Sequence, residues 1–337
     1  MSAAILGISY YLPDRVETNE DLARENPDWR VDDLFEKSGI LARHVAAPGE
    51  TASDLGYHAA MRLMERGIVA PAEIDYLLYC TQSPDYFLPT SACVLQDRLG
   101  LGMHVGALDF NLGCSGFVVG LQMAKCLVDA GMARNVLLIT AETYTKFIHP
   151  RDRMVRVLFG DAAAATLIGA GRGSGCIGNF VVGTDGKGSQ KLIVPAGGLR
   201  SPRSRESAVE RTDESGCTRS ADNLFMDGPA VFTFAITTVP HALSALLGKS
   251  QLALNDVDWY VFHQANKYML QHLAKRCRIP DGKMVVELED VGNTVSATIP
   301  IAIQKWVERG RIREGQRLAL IGFGVGYSWA ACDLVWG

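Results

Sequence analysis

Short apolar runs alternate with longer stretches of helical spacing along the whole chain. A small apolar run at the N-terminus, closed by Pro13, reads as a first strand. Ile74–Tyr79 and Val136–Thr140 are buried strands, and Ala162–Ile168 is another. Between them Phe117–Ala130 has apolar residues at helical spacing, and Gly131 suits its C-cap. The second half repeats the theme: a strand at Val257–Phe262, a helix over Ala297–Glu308, then strands at Leu318–Ile321 and Ala330–Trp336. Strands alternating with helices define an α/β class.

The alternation carries an internal echo. GIVAPAEIDYLLYC ends at Cys80 and SQLALNDVDWYVFH ends at His263, and each reads as a turn, an acidic residue, an aromatic and a strand. Cys114 precedes a helix ending at Gly131 and the strand VLLI, whereas Asn293 precedes a helix ending at Gly310 and the strand LALI. Two copies of one α/β unit put Cys114 and Asn293 at equivalent helix starts and His263 at a strand end. Any two βαβ units share some of this likeness, and the sequence leaves that simpler account standing. The expected halves are residues 1–172, with the cysteine, and 173–337, with the histidine and asparagine. Residues 199–220 break the pattern. They hold five Arg and four Asp or Glu without apolar periodicity, so they read as a solvated loop, with an arginine flap over a phosphate-bearing substrate as the functional alternative.

Composition narrows the class. The chain has 337 residues, 48% hydrophobic and 21% charged, with a net charge of −4, so wholesale disorder is excluded. Without a basic excess, nucleic acid is not an expected partner. No stretch reaches the roughly 18 consecutive apolar residues of a membrane span, and the N-terminus has no basic segment ahead of an apolar one. A cytoplasmic protein without a membrane partner is expected. The eight cysteines show no C-x-x-C spacing, so neither a metal nor a redox dithiol is expected, and most read as small buried hydrophobes.

Four motifs carry candidate chemistry. In Asn111-Leu-Gly-Cys114-Ser-Gly116, a cysteine sits between glycines at a strand-to-helix turn, where free helix N–H groups and the macrodipole favour thiolate; a buried cysteine in a small-residue turn is the bland reading. Tyr260-Val-Phe-His263-Gln-Ala-Asn266 places a polar run directly after an apolar strand, and a neutral imidazole there exchanges protons near pH 7; a structural histidine is the alternative. In Gly292-Asn293-Thr, the asparagine is either a cap or a neutral donor to a developing oxyanion. Gly322-Phe-Gly324-Val-Gly326 leaves backbone N–H groups accessible, as an oxyanion hole or as a tight strand connection. The glycine run over 169–175 is followed by the strand-like CIGNFVVG rather than a helix, so it is not a dinucleotide loop, and Gly186-Lys-Gly lacks P-loop spacing.

Cys114, His263 in HQAN and Asn293 in GNT, in that order on a duplicated chain, resemble the thiolase superfamily, and within it the β-ketoacyl-acyl carrier protein synthase III family. SGILARHVAAPGETASDLG, HPRDR before LFGD, the MDG of Met226–Gly228 and the C-terminal GFGVGYSW extend the likeness over essentially the whole chain. The resemblance implies a thiolase-like, five-layered αβαβα fold in a homodimer. It implies that Cys114 takes an acyl group from acyl-CoA and that a malonyl thioester, malonyl-ACP or malonyl-CoA, then loses CO₂. His263 and Asn293 would hold the enolate oxygen, and the backbone N–H groups of Cys114 and Val325 the tetrahedral oxyanion. No cofactor is implied, and acyl carrier protein is a possible partner. By motif position Met226, Gly228, Phe232 and Asn266 would line the pantetheine channel with Phe159, Arg153 would meet the adenine, and Phe87 would reach the partner's acyl pocket. The chain also departs from the family. Where members carry W-I-V-x-R-T-G-I it has Asp33-Leu-Phe-Glu-Lys37-Ser-Gly-Ile, with Trp29 four residues early, and Tyr268 replaces a carrier-docking Arg. These departures favour a specialised member, in secondary metabolism for example. The competing readings are acyl transfer to a hydroxyl or amine without decarboxylation (His263 then acting as general base), a papain-type Cys–His–Asn hydrolase, whose local signature is missing, and a non-catalytic partner subunit, which has no need of all three side chains.

Overall fold

The computed structural model describes residues 2–171 and 175–337, apart from the side chains of residues 31, 34 and 37. The expected boundary at 172/173, the middle of the 169–175 glycine run and the Lys37 side chain therefore lie outside the described residues.

Two large sheets organise the rest. The first takes Ala3–Tyr11 (β1), Tyr76–Cys80 (β2), Gly106–Phe110 (β3), Asn135–Glu142 (β4) and Ala162–Ala170 (β5), in the order β1-β5-β4-β2-β3. The second takes Cys176–Thr184 (β6), Trp259–Phe262 (β7), Arg317–Gly324 (β8) and Ser328–Val335 (β9), in the order β6-β9-β8-β7. The two orders superpose strand for strand. β1/β5 and β6/β9 are antiparallel, as are β4/β5 and β8/β9, while β2/β4 and β7/β8 are parallel. Even the outer parallel partner of β2 has its trace in the second sheet, as a parallel bridge between Tyr260 and Met284. The echo read in the sequence is thus a repeated topology, and β2, ending at Cys80, corresponds to β7.

Layering explains why the strands show runs rather than alternation. Ala52–Glu65 (α1) and Ser91–Arg98 (α2) cover the outer face of the first sheet. Gly116–Asp129 (α3) and Thr298–Glu308 (α6) lie between the sheets, and Gly228–Ser250 (α4) with Lys267–Arg276 (α5) covers the far side of the second. The result is helix, sheet, helix, sheet, helix. A strand such as β5, buried on both faces over Ala162–Gly169, has no polar face to show. Local signals start the helices: Thr51 accepts from the Asp54 N–H while Asp54 accepts from the Thr51 N–H, a capping box for α1.

Two regions differ from expectation. α4 is 23 residues long and apolar enough by length and composition to cross a membrane, although polar residues interrupt its apolar runs. Here its face of Phe234, Val239, Leu243 and Leu246 packs on the second sheet. The 199–220 segment is mostly irregular, but Arg211–Thr212 pairs with Thr218–Arg219. This small hairpin is fastened to the 149–153 segment by Arg219–Asp152 at 2.8 Å, His149–Glu210 at 3.2 Å and an Arg153 guanidinium bond to the Ser215 carbonyl at 3.0 Å.

Candidate active site

Cys114 lies in the turn between β3 and α3, two residues before the helix. The GFGVGYSW turn closes over it from the other half. A Cβ on Gly324 would stand 2.8 Å from the Cys114 Sγ, so only glycine allows the β8–β9 turn to come this close. The approach brings the backbone N–H groups of Val325 and of Cys114 itself near the sulfur, where they favour its charged form. Behind the turn, Ser115 Oγ and Ser328 Oγ meet at 2.7 Å across the two halves.

His263 follows β7. Its N–H continues the parallel ladder to the Ile321 carbonyl at 2.8 Å, which fixes the ring's root. Gln264, next in the HQAN run, is structural: its fully buried amide donates to the Phe262 carbonyl at 2.6 Å and accepts from the Glu287 N–H at 2.7 Å. The ring stands edge-on to Phe323 with centroids 5.7 Å apart, and Nδ1 lies 2.8 Å from Thr298 Oγ1.

Asn293 is held by the chain on both sides. Its N–H donates to the Leu158 carbonyl and its carbonyl accepts from Gly160, in a parallel bridge with Phe159. Gly292, at φ +70°, makes the turn, and a Cβ there would sit 3.0 Å from the Leu158 carbonyl oxygen. The approach loop is clamped to α6 by Lys305 with Asp290 at 2.9 Å and Glu287 at 3.0 Å. The Asn293 Oδ1 accepts from the Val295 N–H at 3.0 Å, which orients the amide and leaves its NH₂ as the free donor.

Cys114, His263 and Asn293 are 6%, 2% and 4% exposed, and this dryness sets their protonation. Burial pushes the Cys114 thiol up to about 12, against the lowering effect of the Val325 N–H. The helix start predicts thiolate; desolvation outweighs the lowering effect of the Val325 and Cys114 N–H groups, and the resting nucleophile is a thiol. Burial likewise lowers His263 to about 3, so the imidazole is neutral at physiological pH.

The other expected residues divide. Phe159 and Met226 pack in one apolar cluster with Cys114, Val325, Tyr144 and Leu224. Gly228 opens α4, where a Cβ would meet Met154 at 3.8 Å. Phe232 packs with Tyr268 and His272 between α4 and α5, with ring centroids 5.6 Å from each. Asn266 caps α5, accepting from the Met269 N–H at 2.8 Å. Phe87 and Arg153 are exposed, and the Arg153 guanidinium is tied to the inserted hairpin. Trp29 is no stacking surface: it is buried with Leu22 and Val157.

Two side chains beneath the site escaped the sequence reading. Thr298 is one. Glu142 is the other, fully buried at the end of β4, with Oε1 2.9 Å from Ser296 Oγ and Oε2 accepting from the Gln82 N–H at 3.0 Å. It joins the Asn293 loop to the 81–83 loop. Burial pushes its carboxyl up to about 8 from 4.5, so at pH 7 it is mainly the neutral acid. A raised acid pKa contributes stability that is complete below about pH 4.5 and is lost as pH rises through about 8. Glu142→Gln keeps the shape but cannot ionise. Its melting temperature is expected to hold between pH 5 and 8 while the native protein loses several degrees, and parallel melting curves for the two would reject this account.

In this layered, duplicated α/β protein Val295 packs in the cluster of the buried cysteine, its N–H orients the Asn293 carboxamide, and its carbonyl accepts from the Thr298 hydroxyl that touches the neutral His263 ring, a linkage that has the makings of a thioester-handling acyltransferase. The family models for 3-oxoacyl-[acyl-carrier-protein] synthase III and for its C-terminal part match residues 108–186 and 247–336, spans that hold Cys114 in the first and His263, Asn293 and Val325 in the second. The β-ketoacyl-[acyl-carrier-protein] synthase III of Caldanaerobacter subterraneus subsp. tengcongensis is 35% identical over 340 residues, covering 100% of this chain and 98% of its own. The enzyme of that name from Clostridioides difficile is 35% identical, covering 99% and 98%. A crystal structure of a 3-oxoacyl-(acyl-carrier-protein) synthase III is 50% identical with a TM-score of 0.97, covering 99% of each chain, and one from Burkholderia xenovorans is 36% identical at 0.92, covering 100% and 95%. The chain belongs to the 3-oxoacyl-[acyl-carrier-protein] synthase III family, whose members are acyl-transferring synthases with the thiolase-like fold.

Proposed function

We propose that this protein carries out a decarboxylative Claisen condensation in two steps: acyl-CoA loads Cys114, and a malonyl thioester then attacks the loaded acyl group. What supports the reading is the burial of Cys114, His263 and Asn293 together with their shared neighbour Val295, which packs in the Cys114 cluster, orients the Asn293 amide and accepts from the Thr298 hydroxyl at the His263 ring. Losing CO₂ from a malonyl thioester puts negative charge on the thioester oxygen. Two neutral donors in a dry site stabilise that charge without delivering a proton that would quench the carbanion. The N–H groups of Cys114 and Val325 then face the tetrahedral oxyanion at the acyl carbon. This chemistry calls for no cofactor. Phe159 and Met226 would line the acyl and pantetheine path, with Gly228, Phe232 and Asn266 nearer its mouth and Arg153 outermost.

A homodimer is part of this reading. Tyr86, Phe87 and Leu88 are 61%, 81% and 82% exposed, an apolar tip unsuited to a monomer, and the edge strand β3 is half-buried along its length. A monomer in solution would remove this part. Tyr268, half-exposed where the family carries a docking Arg, and the hairpin fastened over Arg153 support a specialised acyl donor or carrier. The eight cysteines, all unpaired, suit a reducing cytoplasm.

The test follows carboxyl-labelled malonyl thioester in the presence of acyl-CoA. Labelled CO₂ released in step with a 3-oxoacyl product supports the reading. An ester or amide product without CO₂ selects simple acyl transfer instead.

A further inference from the structure

Thr298 opens the inner helix α6, and its hydroxyl has two neighbours. Oγ1 lies 2.8 Å from His263 Nδ1 and 3.0 Å from the carbonyl oxygen of Val295, to which it donates. That carbonyl also lies next to the His263 ring. A hydroxyl has one proton, so the three groups have two arrangements. In the first, Thr298 donates to Val295, His263 carries its hydrogen on Nδ1 and donates to Oγ1, and Nε2 is a bare acceptor. In the second, Thr298 donates to Nδ1, the hydrogen sits on Nε2, and the Val295 carbonyl loses its partner. The first makes two hydrogen bonds within the protein and the second makes one, so the unliganded site favours the first. A negative oxygen placed at Nε2 favours the second, because a charge-assisted bond outweighs the neutral one given up.

We propose that Thr298 is a proton switch that lets the one imidazole act as acceptor while Cys114 is loaded and as donor during condensation. It rests on the two-step reading above. In loading, the Cys114 proton passes to bare Nε2 as sulfur attacks the acyl-CoA carbonyl. The new C–S bond forms, the old one breaks, and Nε2 returns the proton to the departing CoA sulfur. Between the steps one proton leaves Nδ1 and one arrives at Nε2 by exchange with solvent, while the Thr298 hydroxyl turns from Val295 to Nδ1. In condensation the C–CO₂ bond breaks and its electron pair becomes the enolate, whose oxygen accepts from Nε2–H and from the Asn293 NH₂. The enolate carbon bonds the acyl carbon, and Cys114 leaves and takes one proton from water.

Thr298 touches no reacting atom and is a positioning residue, so the test separates the half-reactions. Loading is measured as a single turnover with acyl-CoA by intact mass, and condensation on preloaded enzyme with malonyl thioester. In Thr298→Val the ring keeps its Nδ1 hydrogen on the Val295 carbonyl, so the acceptor form persists and the donor form loses its support. Condensation is expected to fall about tenfold or more while loading stays within about threefold, the split expected when an interaction of one transition state is removed. Thr298→Ser restores both. Equal losses in the two steps, or no loss in either, overturn the switch. If the valine variant does not fold, ¹⁵N shifts of His263 in the native protein decide: Nδ1–H when unliganded, changing to Nε2–H with a non-decarboxylating malonyl thioester analogue, and an unchanged tautomer overturns it. Native protein that neither loads nor releases CO₂ would instead sink the two-step reading itself.

Discussion

Cys114→Ala is expected to abolish the acyl adduct that the native protein forms with acyl-CoA, and to lower condensation on the order of 10⁴-fold or more, the scale of losing a covalent nucleophile. The side chain is small and buried, so alanine removes the chemistry without opening a large cavity. The donors are left in place, so slow CO₂ release from malonyl thioester should survive without a condensed product. Intact-mass measurement over short, branched, long and aromatic acyl-CoAs reads the adduct directly and identifies the accepted chain. An adduct that persists at full occupancy in the alanine variant would move the nucleophile to another residue. With the thiol held near 12, loading should also depend on proton transfer in concert with attack, rather than on a resting thiolate.

Removing the carboxamide donor is the second large change. Asn293→Ala should lower the condensation rate about 10²- to 10³-fold, the usual cost of one preorganised oxyanion donor, with loading of Cys114 nearly intact. Alanine also strands the Val295 N–H that Asn293 Oδ1 now accepts, a stability loss of about 1–3 kcal/mol. Asn293→Asp keeps the acceptor for Val295 and replaces the amide donor with a carboxyl, whose burial at a site 4% exposed carries its own stability cost. Both variants should load and fail to condense, and both should melt earlier than the native protein. Full condensation activity in either would end the donor-pair account.

The parts legible in the sequence were those whose meaning is local. A cysteine between glycines, a polar run after an apolar strand and a Gly-Asn pair before a helix each announce a turn at a strand or helix end, and the equal offsets from Cys114 to Asn293 and from Gly131 to Gly310 announce the repeat. What escaped was fixed by burial or by distant approach. The Cys114 thiol was misjudged because a helix start is visible in the chain and desolvation is not. Glu142 ends a strand like any acidic residue until the fold seals it beneath the Asn293 loop. Thr298 looks like an ordinary residue of an amphipathic helix until the His263 ring is laid against it. Trp29 stands near a family motif in the sequence yet lies in the core, because proximity along the chain does not give direction in space.

The repeated topology has a consequence for how the reaction is controlled. The nucleophile belongs to one copy and the proton-handling groups to the other, so their spacing is held by contacts between the halves. Those contacts include the Phe159–Asn293 bridge and the middle layer, to which α3 and α6 both contribute. Side chains of that layer such as Ile299 and Ile303 therefore help to gauge the gap that the enolate must cross. A methylene gained or lost there is a change of stroke length, felt by the condensation step before the fold itself begins to fail.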